Sequence, residues 1–279
     1  HRISAFVQAW FLGSASGKAI ADILYGSINP SGRLSESFPI SLKNTPSYPN
    51  FPGTGDRVYY NEGLQTGYRF YNTHGIDVQF PFGFGLSYSS FSYGKLTVSS
   101  NTFSPTQPVT LHFPITNTSE KNGYEVIQVY VHSTNKKMKC LKTFKKVFVP
   151  AHETVMVDLP LTEEAFEQFD SKSHQWVVYN GTYEICVGTS IEAIIDTALV
   201  TVESFVDEIE PLNVVYPFKR WINHPNLPNP VKELLKTTRS VRHYEYEEPF
   251  DRIIRRLMRE RQLSSQEIHD FLEMINKML

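Results

Sequence analysis

Cysteine is nearly absent from this chain, which has two, Cys140 and Cys186, in 279 residues. Neither has a Cys or His at ligand spacing nearby, so no zinc motif is built by spacing. Both fall in strand-like segments and read as separate, mostly buried thiols; nothing supports a disulfide between them. Long apolar runs are also missing. None approaches the roughly 20 residues that a membrane span requires, and no signal peptide is visible. Charge of one sign is missing too: the net charge of −2 gives no basic field for nucleic acid. There is no Gly-rich phosphate loop, no Ser/His/Asp set and no CxxC. His74, His112, His132 and His152 are scattered, with no ligand spacing between them. Neither a metal ion nor a cofactor is expected. The chain opens on His1 rather than Met, which suggests that something upstream is missing.

What remains is a globular composition, 41% apolar and 20% charged. The densest feature runs from Tyr59 to Tyr88, YYNEGLQTGYRFYNTHGIDVQFPFGFGLSY. Its interleaved aromatics and glycines fit neither a plain helix nor a plain strand. Before it the chain reads as α/β. Residues 3–10, ISAFVQAW, read as a short buried strand, and Ser16 to Tyr25 as a helix with Ala19, Ile20, Ile23 and Leu24 on one face. Ser14 or Ser16 is the expected cap, and Gly26 the expected stop. One βα unit cannot be a domain, because a parallel strand needs partners and cover on both faces. The pattern therefore implies entry in the middle of an α/β domain. Turn formers follow at Asn29 to Leu34, and a loose Pro/Asn/Ser/Gly stretch at 43–55.

Several blocks resemble glycoside hydrolase family 3, the family of β-glucosidases and β-xylosidases. They are Ala9-Trp10 with Gly13, Asn29-Pro30-Ser31-Gly32-Arg33-Leu34 and Ser37-Phe38-Pro39. Tyr60, Glu62-Gly63, Gly67-Tyr68-Arg69-Phe70-Tyr71 and Phe80 to Tyr88 follow in the family's order. Gly123 to Val131, Lys139 to Val147, Trp176-Val177-Val178, Tyr183-Glu184 and Val187-Gly188 resemble its fibronectin type III-like domain. The resemblance covers residues 5–203. It departs at Leu12, Gln65-Thr66, Phe84 and Thr143, where the family usually has Pro, an aromatic and Val, His, and Gly. It implies the end of an α/β-sandwich domain over 1–93 and a fibronectin-like β-sandwich over 94–204.

Eight short segments carry the all-β pattern: 95–99, 108–115, 124–132, 140–149, 153–159, 175–179, 183–187 and 197–202. The lysines at 136, 137, 139, 142, 145 and 146 are interleaved with Leu141, Phe144 and Val147, as on an edge strand with one wet face. Two N-x-[ST] triplets begin at Asn117 and Asn180. Residues 205–279 read as a Pro/Asn-rich linker followed by helices at 230–238, 250–262 and 264–279. The last two form a hairpin that opens on a Ser264/Glu267 capping box. Their apolar stripe is expected to dock on the same chain or a missing domain, with a homodimer as an alternative and membrane binding a further one.

Retaining glycoside hydrolysis needs two carboxyl groups flanking the scissile bond. By resemblance, the nucleophile is an Asp on an N-terminal barrel, and the acid/base lies before the block on which this chain opens. No catalytic residue is therefore assigned, and the substrate-binding residues stay open. Glu62, Asp56, Asp22, Glu36 and Asp77 are the acids of the α/β part. Glu62, among aromatics, is expected to pair with Arg57 or Arg69 and pin the loop. Two functions follow: the C-terminal part of a β-glucosidase acting on β-linked glucosides through a missing barrel, or a stand-alone carbohydrate-binding or structural module. A cytoplasmic location is expected from the lack of a disulfide pattern.

Overall fold

Regular structure is sparse in the first ninety residues. A computed structural model describes residues 3–170, 174–203, 205 and 206, and these lie in one compact unit. Helix α1 spans Ser16–Leu24. No side chain caps it, so neither Ser14 nor Ser16 does so; the Ser16 amide instead donates to the Gly13 carbonyl. Gly26, left-handed at φ 75°, follows its end as expected. Residues 3–10 are not a strand. A strand exists only where a neighbour takes up its amides and carbonyls, and among the described residues none lies alongside. Phe6 stacks on Phe80 and Trp10 packs edge-on to Phe38.

The aromatic–glycine stretch does contain regular elements. Phe38–Pro39 (β1) pairs antiparallel with Val78–Phe80 (β2), and Tyr68–His74 (α2) forms two turns between Gly67 and Gly75. The glycines isolate elements too short for a period to show.

The rest is a β-sandwich. Its strands are Phe91–Tyr93 (β3), Thr97–Val98 (β4), Thr102–Phe103 (β5), Val109–Asn117 (β6), Gly123–Ser133 (β7), Cys140–Val149 (β8) and Thr154–Leu161 (β9). Glu167–Asp170 (β10), Gln175–Val178 (β11), Gly181–Gly188 (β12) and Ile194–Val202 (β13) complete it. One sheet runs β5-β13-β12-β7-β8. The other runs β3-β6-β4, with β9 paired to β6, and β10–β11 is a separate hairpin. All eight expected strands are present. The short β3, β5 and β10 were not legible, and β3 already belongs to the sandwich.

Alternation explains the core. Val109, Leu111, Phe113 and Ile115 of β6 meet Ile127, Val129 and Val131 of β7 and Ile185 and Val187 of β12, all buried. Each such side chain contributes about 1.5–3 kcal/mol. β7 is buried on both faces: Gln128 and Tyr130, between the core positions, are covered as well. β8 is an edge strand, as its lysines imply. Its wet face includes Phe144, expected to be dry, whereas Lys142 points inward and donates to the Glu164 and Glu167 carbonyls. The linker, helices and capping box expected after residue 206 lie outside the described residues, and so does the dimer contact assigned to them.

Candidate functional site

The outer face of the five-stranded sheet is covered by the first segment, and this seam gathers most of the buried polar chemistry. Asn29 in the turn uses its whole amide. Nδ2 donates to Ser89 Oγ (2.7 Å) and the Asn122 carbonyl (2.9 Å), while Oδ1 accepts from Ser87 Oγ (2.9 Å) and the Tyr88 amide (2.8 Å). Arg33, four residues on, pairs with Glu125 of β7 and donates to the Gly85 carbonyl. Glu125 Oε1 also accepts from the Val126 amide at 2.6 Å. Both ion-pair side chains are almost fully buried, at 12% and 5% exposure.

Gln128 is the next pin. Its Nε2 donates to the Gly83 and Thr189 carbonyls at 2.9 and 2.7 Å, and its Oε1 accepts from the Tyr130 hydroxyl at 2.6 Å. Gly83 has φ 82°, and a Cβ there would sit inside the Gln128 amide, so only glycine fits. Tyr68 of α2 stacks on Phe82 at 4.3 Å, stands edge-on to Tyr130, and accepts at its hydroxyl from the Leu141 amide at 2.8 Å.

The expected pins are not the real ones. Glu62 pairs with neither Arg57 nor Arg69, and its Oε2 is buried without a hydrogen-bond partner among the described residues. Arg69 lies against the Tyr68 ring, 5.9 Å from its centroid. Burial lowers its pKa, but the Tyr68 hydroxyl and the nearby Cys140 outweigh that and leave it raised. The other acids are dispersed. Asp22 is ion-paired with Lys18 one helical turn away, Glu36 lies near Tyr71, and Asp77 lies near Glu192. Burial, and then the Asp77 charge, raise the Glu192 pKa.

A cleft of about 280 Å³ opens on the seam, lined by Arg33, Leu34, Phe82, Gly83, Val126, Gln128, Leu141 and Phe144. Gln128 and the Arg33 Nη atoms are already committed to the seam, which leaves the buried Arg33 Nε and Ser35 as its remaining polar groups. A pyranose presents a hydroxyl on most carbons and needs several free partners. The cleft suits a small apolar group better.

Sequence spacing left the histidines unconnected, and strand register connects one of them. His132 of β7 stands opposite Glu184 of β12, and Cys186 lies two residues along on the same face. His132 Nε2 is 2.8 Å from Glu184 Oε2. Burial pushes the Cys186 thiol up to about 11; Lys139 opposes the shift and Glu184 adds to it. His112 pairs with Asp158, His152 with Glu120, and His74 with the Phe70 carbonyl.

An aromatic–glycine segment locked by buried pins onto a fibronectin-type sandwich defines the C-terminal architecture of a class of glycoside hydrolases. The chain belongs to glycoside hydrolase family 3 and carries its C-terminal portion. Residues 1–88 match the glycosyl hydrolase family 3 C-terminal domain, and 125–191 match the fibronectin type III-like domain. It is 39% identical to the thermostable beta-glucosidase B of Acetivibrio thermocellus over 74% of this chain and 28% of that protein. It is 35% identical to an exo-alpha-(1->6)-L-arabinopyranosidase of Bifidobacterium breve, over 78% of this chain and 29% of the relative. The crystal structure of a family 3 beta-glucosidase from Bifidobacterium adolescentis superposes with a TM-score of 0.66 and 35% identity, covering 77% of this chain and 32% of that one. The chain thus spans about a third or less of the length of these relatives.

Proposed function

We propose that this chain supplies the C-terminal scaffold of a retaining glycoside hydrolase of β-glucosidase type, one that cleaves terminal O-glycosidic bonds of β-linked glucosides. The catalytic carboxyl pair belongs to parts of the enzyme outside residues 1–279. The observation that carries this reading is the seam. The family-matching blocks at 29–38 and 80–89 hold no paired acids; their polar atoms go into joining the two blocks to each other and to β7. The relatives' names support a carbohydrate substrate and differ over the sugar. A cytoplasmic setting belongs to the same proposal, supported by Cys140 and Cys186 both being free thiols.

The test is hydrolysis of aryl β-glucosides by residues 1–279. No turnover above buffer is expected. Turnover that Glu62→Gln abolishes would overturn the assignment of chemistry elsewhere. Glucoside binding without turnover, measured calorimetrically, would favour a carbohydrate-binding module instead.

A further inference from the structure

We propose that His132, Glu184 and Cys186 form a binding site for a single transition-metal dication of the zinc type. Their donor atoms all lie within 4.8 Å of one another. The arrangement follows from register. His132 and Glu184 are directly opposed across β7 and β12, and Cys186 is the next residue of β12 on the same face. Rigid paired strands therefore present a nitrogen, an oxygen and a sulfur to one point, a donor set that zinc takes.

The imidazole is already oriented for this. His132 Nδ1 faces two acceptors, the Lys136 carbonyl at 2.8 Å and the Ser133 carbonyl at 3.1 Å. Nδ1 must therefore carry the hydrogen. A histidine held through one ring nitrogen by a backbone carbonyl presents the other as a ligand, which is the usual outer support of a metal-bound imidazole. In the neutral ring, Nε2 then directs a lone pair at the Glu184 carboxylate, only 2.8 Å away. A cation joins these two groups: a proton fits the 2.8 Å contact as it stands, and a metal dication fits once the contact has opened.

The charges balance. A dication with one carboxylate and one thiolate is neutral, as a largely buried site requires; Cys186 is 1% exposed. Binding displaces the Cys186 proton to solvent, and the Sγ lone pair forms the bond to the metal. Burial holds the Cys186 thiol protonated and Lys139 offsets only part of that, so the metal itself must displace the proton. Zinc bonds of 2.0–2.3 Å keep tetrahedral donors about 3.5 Å apart. The His132–Glu184 contact must open by about 0.7 Å, and the Cys186 gap, at most 4.8 Å, must close by up to about 1.3 Å. Glu184, at one third exposure, leaves room for water as the fourth ligand. The proposal is independent of the glycosidase reading.

The test uses the whole 279-residue chain, stripped with a chelator and titrated with Zn²⁺ against a chromogenic competitor, and separately with Co²⁺. One equivalent of Zn²⁺ is expected, with a thiolate-to-cobalt charge-transfer absorption in the Co²⁺ form. Cys186→Ser should abolish that absorption. His132→Gln should weaken Zn²⁺ binding by more than the roughly 10–100-fold typical of losing an outer-shell partner. Glu184, at one third exposure, is the most open of the three, and Glu184→Gln serves with the same expected loss of Zn²⁺ binding if Cys186→Ser does not fold. Absence of a one-equivalent site, or binding and spectrum unchanged by these substitutions, would overturn the proposal.

Discussion

At the scale of single residues, Arg33 and Glu125 decide more than any other pair. They are 92 positions apart and meet almost without water. A buried pair contributes little net stability, but removing one partner strands a charge at a cost of about 3–5 kcal/mol. Arg33→Ala should lower the unfolding free energy by that amount in urea, whereas the double replacement Arg33→Met with Glu125→Leu should cost much less. Equal losses would show that packing, not charge, matters there. Glu192 makes the opposite prediction. Its folded pKa is raised, by partial desolvation and then by Asp77, although the residue is exposed, so it detracts modestly from stability once the pH has risen through its titration. Glu192→Gln should raise the melting temperature at pH 7, and the gain should vanish as the pH falls below the ordinary glutamate range. A gain that persists in acid would assign the effect to something other than charge. The true pins were not legible because the sequence shows neighbours along the chain, and Glu62 and Arg69 are neighbours in that sense only. The two N-x-[ST] asparagines also have structural partners, most of them far along the chain: Asn117 is fully buried, its Nδ2 donating to the Lys121 and Val149 carbonyls, and the Asn180 amide is bonded to the Phe205 backbone.

At the scale of elements, α2 acts as a clamp. One helix of seven residues holds β7 and β8 through a single side chain, the Tyr68 ring on Phe82 and Tyr130 and its hydroxyl on the Leu141 amide. The two contributions separate by mutation. Tyr68→Phe should cost about 1 kcal/mol, the net value of one hydrogen bond. Tyr68→Ala should cost about 3–5 kcal/mol, as large aromatics do in packed sites. Equal losses in a denaturation series would place all the energy in the hydroxyl. The long strands were readable from sequence because Val109 to Asn117 alternates buried and half-buried without a break. β7 was readable as a strand but not as one covered on both sides. That cover comes from Phe82, in the turn after β2, and Tyr68 of the two-turn α2, segments too short to have a period. The stretch 3–10 was misread because β-propensity describes a surface that a neighbouring strand has yet to complete.

At the scale of the whole chain, the two faces of the seam are unequal. The sandwich buries its core, whereas the first segment leaves Ile3, Phe11, Leu24, Tyr25, Leu42, Phe51, Tyr60 and Leu64 more than half exposed. Helix α1 buries none of its residues, although Ile20 and Leu24 form an apolar stripe. Scattered exposed apolar side chains are ordinary, but a run of them across one segment marks a contact surface. The apolar positions of 3–64 are thus correct for an α/β domain and lack, among the described residues, the layer they would cover. The 279-residue chain should therefore self-associate in a concentration-dependent way on size-exclusion chromatography with light scattering. Sodium chloride should not weaken this, because apolar contact, unlike charge pairing, is not screened, and sulfate should strengthen it. Replacing Phe11 and Leu24 by Ser and Lys should shift the distribution toward monomer and leave the sandwich's melting transition in place, since neither residue touches its core. Association unchanged by that double substitution would move the contact away from this face.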